Sequence, residues 1–379
     1  MITGSQEYIR DMNRRLVLDT IIHNNPLSRA NLSKKLHLTK ATISAIVQEL
    51  MDLELVEEIG SADTTKGRKP ILLRFNQSCG NVISMDIALD KTSVMISDLK
   101  GENCIVREYP RQDNVITEKY LSSVIQKTLY SIPESTYGVI GICMGIHGVV
   151  NNNEIQFTPY YTLESKNMAE LLTRRFHIPV FVENEANLCV LGESAYHYSQ
   201  KNLMYINVHS GIGMGIMMDG ILFRGKDGFA GEIGHTILFP EGRPCPCGNH
   251  GCLEQYASEK AILEEYAREK NYSFVTIEKF IRDYHDGDSL AISLIDHFIL
   301  YMSIGLNNIL NTLNPDIIIL NSSFSTNIPG ICERIQSQIH NFLGRDFSLI
   351  TGEYQDISEF LGGVHICVNE FLNSHSQIF

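Results

Sequence analysis

The sequence predicts a small, mainly α-helical module at the N-terminus, followed by a larger α/β domain built from two similar halves. Two patterns predict this division: helical periodicity in the first module, and an alternation of apolar strands and helices after it. Charge divides at the same place, because residues 1–76 carry 11 Lys and Arg against 9 Asp and Glu (+2), and the remainder carries 20 against 35 (−15). A mildly basic N-terminal module followed by an acidic larger domain indicates two modules with different partners.

Composition excludes several classes of protein. The sequence has no uninterrupted apolar run long enough to cross a bilayer, so we expect no membrane span. The N-terminal stretch has no apolar signal core, so we expect a cytoplasmic protein. An odd number of cysteines, nine, fits a reducing compartment better than a set of disulfides. The net charge of −13 argues against a whole molecule that binds nucleic acid nonspecifically.

The first module begins with a predicted amphipathic helix over residues 6–24, which Pro26 ends. Its apolar positions include Ile9, Met12, Leu16, Leu18 and Ile22. Ser28 is the predicted N-cap of a short second helix, and Thr39 that of a third. Spacing of i, i+3, i+4 and i+7 predicts the buried face of the third helix, which consists of Ile43, Ile46, Val47 and Leu50.

The opposite face of the third helix carries small and hydrogen-bonding side chains that suit the major groove of DNA. These predicted DNA contacts are Thr39, Lys40, Ala41, Thr42, Ser44 and Gln48. Two strands near 55–59 and 71–75 then flank a polar loop with a basic tip, formed by Lys66, Gly67, Arg68 and Lys69. The pattern predicts a winged helix-turn-helix over 1–76 that binds DNA; the alternative is a small helical interaction domain that binds none.

Residues 230–254 hold three cysteines in the pattern C-x-C-x4-C, and nine residues separate the first of them from a histidine earlier in the chain. Three thiolates and one imidazole predict a closed, tetrahedral, structural zinc site, with the ligands His235, Cys245, Cys247 and Cys252. The alternatives are a redox cluster or a chance grouping, whereas a zinc hydrolase is disfavoured because no position is left for water. The other cysteines lie in apolar contexts and are predicted core residues: Cys79, Cys104, Cys143, Cys189, Cys332 and Cys367.

Residues 77–81 are the predicted linker, and the α/β domain follows over 82–379. Strand-and-turn patterns occupy 81–99, 139–150 and 203–223, and long helices fill the 255–310 region. We predict two lobes. Lobe one covers about 82–186 together with the C-terminal helix, and lobe two covers about 187–363.

Five motifs make the larger domain resemble the ROK family, which groups repressors, open reading frames and sugar kinases on a two-lobed, actin-like ATPase fold. They are GIHGVV at 145–150, ENEAN at 183–187, SGIGMGIMMDG at 210–220, AGEIGH at 230–235 and CPCGNHGCLEQYAS at 245–258. The resemblance covers essentially all of residues 81–379. With a winged helix in front, the chain resembles the sugar-responsive repressors of this family.

The resemblance implies a sugar site between the lobes. In family members, sugar hydroxyls are held by the Asn and acid of the EN[D/E] motif, the Glu and His of GExGH, and the Glu after the last cysteine, beside a glycine turn. The implied sugar residues are Gly148, Asn184, Glu185, Glu232, His235 and Glu254. His235 then serves zinc with one ring nitrogen and sugar with the other. The alternative for Glu232 and Glu254 is a pair of solvated surface acids.

Kinase activity is not expected from the nucleotide-binding elements of such a domain. In the first element, Leu89 replaces a glycine and Asp90 brings a negative charge to the place of the phosphates. Residues 321–323 lack the glycines of the adenosine loop, although the glycines of 211–215 are kept. Glu185 is one methylene longer than the family's catalytic Asp, and general-base catalysis depends on close placement.

The resulting hypothesis is a sugar-responsive repressor without enzyme activity. A homodimer or homotetramer presents two winged helices to operator DNA, and a sugar inducer between the lobes changes their spacing. Glu185 in place of Asp resembles the xylose-responsive members, which favours an aldose such as xylose. Two alternatives stay open: an ATP-dependent sugar kinase, and a DNA-binding adaptor regulated by a protein partner. His147 replaces the proline common in this turn, with no assigned effect.

Overall fold

The described residues of the N-terminal part form three helices and a three-stranded sheet with strand order β1-β3-β2. The computed structural model describes residues 6–24, 26–61, 70–340, 347–354 and 357–376. Both predicted caps are confirmed, because the Ser28 side chain accepts the Asn31 N–H and the Thr39 side chain accepts the Thr42 N–H. The elements are α1 (Gln6–His23), β1 (Leu27–Ser28), α2 (Arg29–Leu36), α3 (Lys40–Asp52), β2 (Val56–Ser61) and β3 (Ile71–Phe75).

Helix α1 is confirmed, but only part of its predicted apolar surface is buried. Its contacts with α2, α3 and β3 cover one side of the helix, on which Val17, Leu18 and Ile21 lie. The other side stays exposed and carries three of the predicted apolar positions, Ile9, Met12 and Leu16. The wing is an antiparallel pairing of β2 with β3. Its predicted basic tip, residues 66–69, lies outside the described residues.

Lobe one contains a five-stranded sheet with strand order β12-β8-β4-β5-β6. Strands β12, β8 and β4 are parallel, whereas β5 and β6 add as antiparallel hairpins. The elements are β4 (Asn81–Ile87), β5 (Lys91–Ser97), β6 (Ile105–Pro110), β7 (Val115–Ile116), α4 (Glu118–Leu129), β8 (Val139–Ile146), β9 (Val149–Asn151), β10 (Glu154–Phe157), β11 (Thr162–Leu163), α5 (Met168–Phe176), β12 (Val180–Asn184) and α6 (Glu185–Tyr196).

Lobe two contains a second five-stranded sheet with strand order β15-β14-β13-β16-β17. Its helices pack on the sheet in one large core. The elements are β13 (Leu203–Val208), β14 (Ile212–Met218), β15 (Ile221–Leu222), α7 (Glu254–Ala257), α8 (Glu259–Glu269), α9 (Ile277–His285), α10 (Ser289–Leu313), β16 (Ile317–Ser322), α11 (Ser323–Asn327), α12 (Ile331–Gln338) and β17 (Ser348–Ile350). The C-terminal helix α13 (Ser358–Ser376) packs on β4 and β8 of lobe one.

Helix α10 is long and apolar enough to span a membrane by length and composition. Half of its most apolar stretch is buried in lobe two, where Phe298, Ile299 and Met302 are fully covered. A core helix of a folded domain can be equally apolar, so α10 is weak support for a membrane span.

Among the cysteines that were predicted to lie in the core, Cys104 is exposed, so its assignment to the core was wrong.

The N-terminal part and lobe one share one hydrophobic core. Val17 and Leu18 of α1 belong to the same buried cluster as Leu188 of α6 and Val364 of α13. The predicted linker lies within this contact, because residues 77–79 form a 3-10 turn in which Cys79 is buried. The winged helix is therefore packed onto the larger domain and not tethered by a free chain.

We expect Tyr137→Phe to lower the free energy of unfolding by about 1 kcal/mol, because the Tyr137 hydroxyl donates to the Leu53 carbonyl at 2.7 Å across this contact. Urea denaturation checks the value. Tyr130→Phe is the matched control, since Tyr130 is 83% exposed. Equal midpoints for the two variants would show that the hydrogen bond adds nothing.

Candidate functional site

The candidate site lies where three parallel strands of lobe one end at the same sheet edge. In the ladders of β12, β8 and β4, Asn184 pairs with Ile146, and Ile146 pairs with Ile87. The residues at and just after these strand ends therefore stand side by side. Polar groups at the carboxyl ends of adjacent parallel strands are a common basis for ligand sites in α/β proteins.

Asn184 is the N-cap of α6 and orders the lobe-one side of the site. Its side-chain Oδ1 accepts the Asn187 N–H at 3.0 Å, and its side-chain Nδ2 donates to the Gly148 carbonyl at 2.9 Å and to Glu185 Oε2 at 2.7 Å. Gly148 has no room for a side chain, since an added Cβ would lie 2.2 Å from the Phe157 carbonyl oxygen. Burial raises the pKa of Glu185, and the charge of the neighbouring His147 opposes this effect.

Lobe two contributes Glu232, His235 and Glu254 to the opposite side. His235 Nδ1 lies 3.5 Å from Glu254 Oε1, and His235 Nε2 lies 3.8 Å from Glu232 Oε2. Burial raises the pKa of Glu232, and the charges of Glu185 and Glu254 raise it further while His235 opposes them. The structure thus brings the predicted carboxylates of both lobes near one another, at the predicted cleft between the lobes. Glu254 is mostly buried, with 12% of its side chain exposed, whereas Glu232 is 41% exposed and reaches solvent.

The predicted metal ligands form one cluster behind this cleft. The ligand atoms of the four residues all lie within 4.8 Å of one another, with Cys247 Sγ 3.6 Å from Cys252 Sγ and Cys245 Sγ 3.5 Å from His235 Nδ1. Gly251 permits the turn, because its φ is +80° and a Cβ would meet the Phe239 carbonyl at 1.6 Å. Three thiolates and an imidazole at these separations fit a tetrahedral metal ion. The two nitrogens of His235 face different partners: Nδ1 faces the cysteines and Nε2 faces Glu232.

An ion pair that the sequence did not predict stands beside the cleft. His147 Nε2 lies 2.8 Å from Asp86 Oδ1. Burial alone lowers the pKa of His147, but the bond to Asp86 and the charges of Glu185 and Asp86 outweigh it and raise the pKa to about 10. Glu359 of α13 is close to this pair, and burial raises its pKa well above the usual range. The only feature of the sequence that drew attention to this pair was that His147 replaces the proline common in the family's turn. No sequence pattern indicated a role for Glu359.

Helix α3 is the candidate nucleic-acid interface. Thr39, Lys40, Ala41, Ser44 and Gln48 are exposed, whereas Thr42 is half-buried. The buried face is the predicted one, with Ile43, Ile46, Val47 and Leu50 all in the core. The Gln48 amide is hydrogen-bonded to Asp52 at 2.8 Å, so it must leave this partner to contact a base.

Comparison with known proteins identifies the family. The ROK family matches residues 82–358, which is most of the chain. The chain belongs to the ROK family. A xylose repressor from Bacillus spizizenii is 34% identical over 98% of this chain and 99% of its own length.

Solved ROK structures share the fold. A ROK family transcriptional regulator, a homologue of the Escherichia coli MLC protein, has a TM-score of 0.79 and 25% identity over 97% of this chain and 98% of its own. A ROK family glucokinase from Streptomyces griseus, in complex with glucose and AMPPNP, has a TM-score of 0.66 and 20% identity over 76% of this chain and 99% of its own. The predicted fold class is confirmed: an N-terminal winged helix followed by a two-lobed, actin-like ROK domain.

Several residues differ here from the nucleotide-binding elements that the resemblance to ROK kinases predicts. Leu89 is 48% exposed at the tip of the first element. The buried carboxylate of Glu259 contacts the third nucleotide-binding element (residues 321–323), where it accepts the Ser323 N–H and, at 3.1 Å, the Ser323 hydroxyl. It also lies 3.4 Å from Nδ1 of His209, just ahead of the second element (residues 211–215). A carboxylate thus lies next to both of these loops.

We expect the wild-type protein to carry one metal ion at this cluster, and Cys247→Ser to lose it and to melt at a lower temperature, because three ligands hold an ion less tightly than four. Metal analysis by mass spectrometry, together with calorimetry, checks both changes. Cys104→Ser is the control, since Cys104 is outside the cluster. Full metal content and an unchanged melting temperature in Cys247→Ser would contradict the metal site.

The His147–Asp86 pair predicts a pH-dependent stability. The folded pKa of His147 is raised to about 10, so its contribution is full below the unfolded pKa and is lost as pH rises through the folded pKa. We expect the melting temperature of the wild type to fall further between pH 7 and about 10.5 than that of His147→Gln. His285→Gln, at an exposed position, serves as control. Parallel curves for wild type and His147→Gln would refute the charged pair.

Proposed function

We propose that this chain is a sugar-responsive transcriptional repressor that leaves operator DNA when a sugar inducer binds. One observation carries the proposal: carboxylates, an amide and an imidazole that lie near one another between the lobes are joined through a shared core to an exposed helix suited to DNA. The xylose repressor of Bacillus spizizenii matches nearly the whole chain and supports an aldose such as xylose as the inducer. The proposed sugar residues are Gly148, Asn184, Glu185, Glu232, His235 and Glu254.

The chemistry of the cleft suits a polyol. A sugar offers hydroxyls that both donate and accept, and the carboxylates of Glu185, Glu232 and Glu254 can accept several of them. The amide of Asn184 is engaged with Gly148 and Glu185, so its main role is to fix the Glu185 carboxylate. His235 Nε2, beside Glu232, remains on the side of the cleft for a further hydroxyl.

The proposed metal ion is a structural Zn²⁺ held by His235, Cys245, Cys247 and Cys252. Zn²⁺ neutralises the thiolates and has no open coordination position in such a set of ligands. The cluster fixes the ring of His235, so that Nε2 stays directed toward Glu232. The protein segment from 235 to 252 is then rigid enough to carry a change in the cleft to the rest of lobe two.

Release from the operator requires that the sugar favours one arrangement of the lobes over another. Helix α6 begins at Glu185 and packs against α13, and α13 packs in the same core as α1 of the winged helix. Lobe closure therefore acts on the position of the DNA-binding part. We propose a cytoplasmic homodimer or homotetramer on a pseudo-palindromic operator. The proposed DNA contacts are Thr39, Lys40, Ala41, Thr42, Ser44, Gln48, Lys66, Gly67, Arg68 and Lys69.

Phosphoryl transfer is not part of the proposed function. A kinase must bind a polyphosphate next to its acceptor hydroxyl, and here Asp90 and Glu259 bring negative charge to that side. Glu185 also stands in place of the shorter catalytic Asp. We propose that the ROK domain of this chain senses sugar and does not modify it.

The proposed function predicts tight binding to DNA from upstream of the protein's own coding region, released by one sugar of a panel. Fluorescence anisotropy of the labelled DNA measures both steps. We expect Glu232→Gln to bind DNA as the wild type does but to need at least about tenfold more sugar for release, because one charge-assisted hydrogen bond is lost.

Lys40→Ala should weaken DNA binding. Because one phosphate contact is lost, the slope of log binding constant against log salt concentration should fall in magnitude by about 1.

Glu333→Gln is the matched control for Glu232→Gln, since Glu333 is exposed on α12. It should bind DNA and respond to sugar as the wild type does. Only weak, salt-sensitive binding of the wild type to its upstream DNA would sink the repressor proposal, and ATP consumption with a sugar panel would then test the kinase alternative.

A further inference from the structure

Three charged side chains stand in a row along the edge of the lobe-one sheet. The strand order β12-β8-β4 places Glu185 after the first strand, His147 after the second and Asp86 near the end of the third. His147 therefore lies between the proposed sugar acid Glu185 and the loop that follows Asp86. In a sugar kinase of this fold, that position lies between the base and the phosphate loop, where the acceptor hydroxyl must reach.

The imidazole of His147 is held firmly in this position. Its Nε2 is bound to Asp86 at 2.8 Å, and its backbone N–H donates to the Tyr161 hydroxyl at 3.3 Å. The side chain is nevertheless 28% exposed, so part of the ring is accessible to a ligand. A well-held ring at the border of a ligand site limits the size of what binds beside it.

Tyr161 and Arg111 lie next to the His147–Asp86 pair. Arg111 donates to the carbonyl oxygens of Ala88 and Leu89 and lies over the Tyr161 ring, 5.4 Å from its centroid. These contacts connect the loop that contains Ala88 and Leu89 with the ring of Tyr161, and Tyr161 in turn contacts His147 of the His147–Asp86 pair. Together these groups form one wall. A substituent that pointed from the sugar toward this wall would have to displace the imidazole and break its bond to Asp86.

We propose that His147 is a further effector-binding residue that selects a pentopyranose over a hexopyranose. The inference rests on the proposed sugar function and names the substrate class of the same site. The exocyclic hydroxymethyl group of a hexose, which is the acceptor in a glucokinase, has to point along the line from Glu185 to Asp86. His147 occupies that space, whereas a sugar without the group fits beside the ring.

D-xylose and D-glucose are a matched pair of probes, because they share the ring configuration and differ by the hydroxymethyl group alone. Calorimetric titration of the full-length protein with each sugar gives the ratio of the two dissociation constants. We expect the wild type to bind xylose at least about tenfold more tightly than glucose, as a size limit in a closed pocket allows. In His147→Ala the ratio should fall toward one, because glucose gains the vacated space.

His147→Gln separates space from charge. Glutamine fills much of the same volume without a charge, so we expect it to keep most of the preference for xylose. His285→Ala, at an exposed position of α9, should leave both dissociation constants unchanged. Melting temperature and operator binding of each variant show that it is folded.

The outcomes distinguish this inference from the function on which it rests. A wild type that binds glucose as tightly as xylose, or a His147→Ala variant that keeps the full preference, overturns the role of His147 and leaves the repressor proposal intact. A wild type that binds neither sugar overturns the pentose site and the proposed xylose-type inducer together. A preference that is present in the wild type, kept in His147→Gln and lost in His147→Ala supports the inference.

Discussion

The close crossing of α6 and α13 is the constraint on which the rest of the structure depends. A Cβ at Gly192 of α6 would lie 2.0 Å from the Ser358 carbonyl oxygen, and a Cβ at Gly362 of α13 would lie 2.0 Å from the Leu188 carbonyl oxygen. No side chain fits at either position, so the two backbones are in direct contact. Interiors packed this closely transmit a displacement instead of absorbing it.

This helix pair connects parts of the protein that are distant in the chain. The first residue of α6 is Glu185, at the cleft, and α6 also packs against β14 of lobe two, where a Cβ at Gly215 would meet the Ala186 carbonyl at 2.1 Å. Helix α13 lies on the sheet of lobe one and shares a core with α1. A ligand that changes how the lobes meet therefore acts on a rigid element that also supports the DNA-binding part.

The sequence predicts best what depends on residues close together in the chain. Helix caps, the strand-turn-strand units and the grouping of His235 with the cysteines follow from local spacing, and the structure brings these residues together. Contacts between distant segments were not predicted, because no local sequence pattern indicates them. The contact of His147 with Asp86 and that of Glu259 with Ser323 depend on which strands become neighbours in the fold. For the same reason, periodicity identified α1 as a helix but did not show which apolar residues stay exposed.

The shared core between α1 and α13 also has a thermodynamic consequence for the DNA-bound protein. If a sugar weakens operator binding by some factor through this connection, operator DNA must weaken sugar binding by the same factor. Protein bound at its operator is then a less sensitive sugar sensor than free protein in the same cell. The sugar concentration at which a gene is released would depend on how many operators the protein occupies, and not on the affinity of the cleft alone.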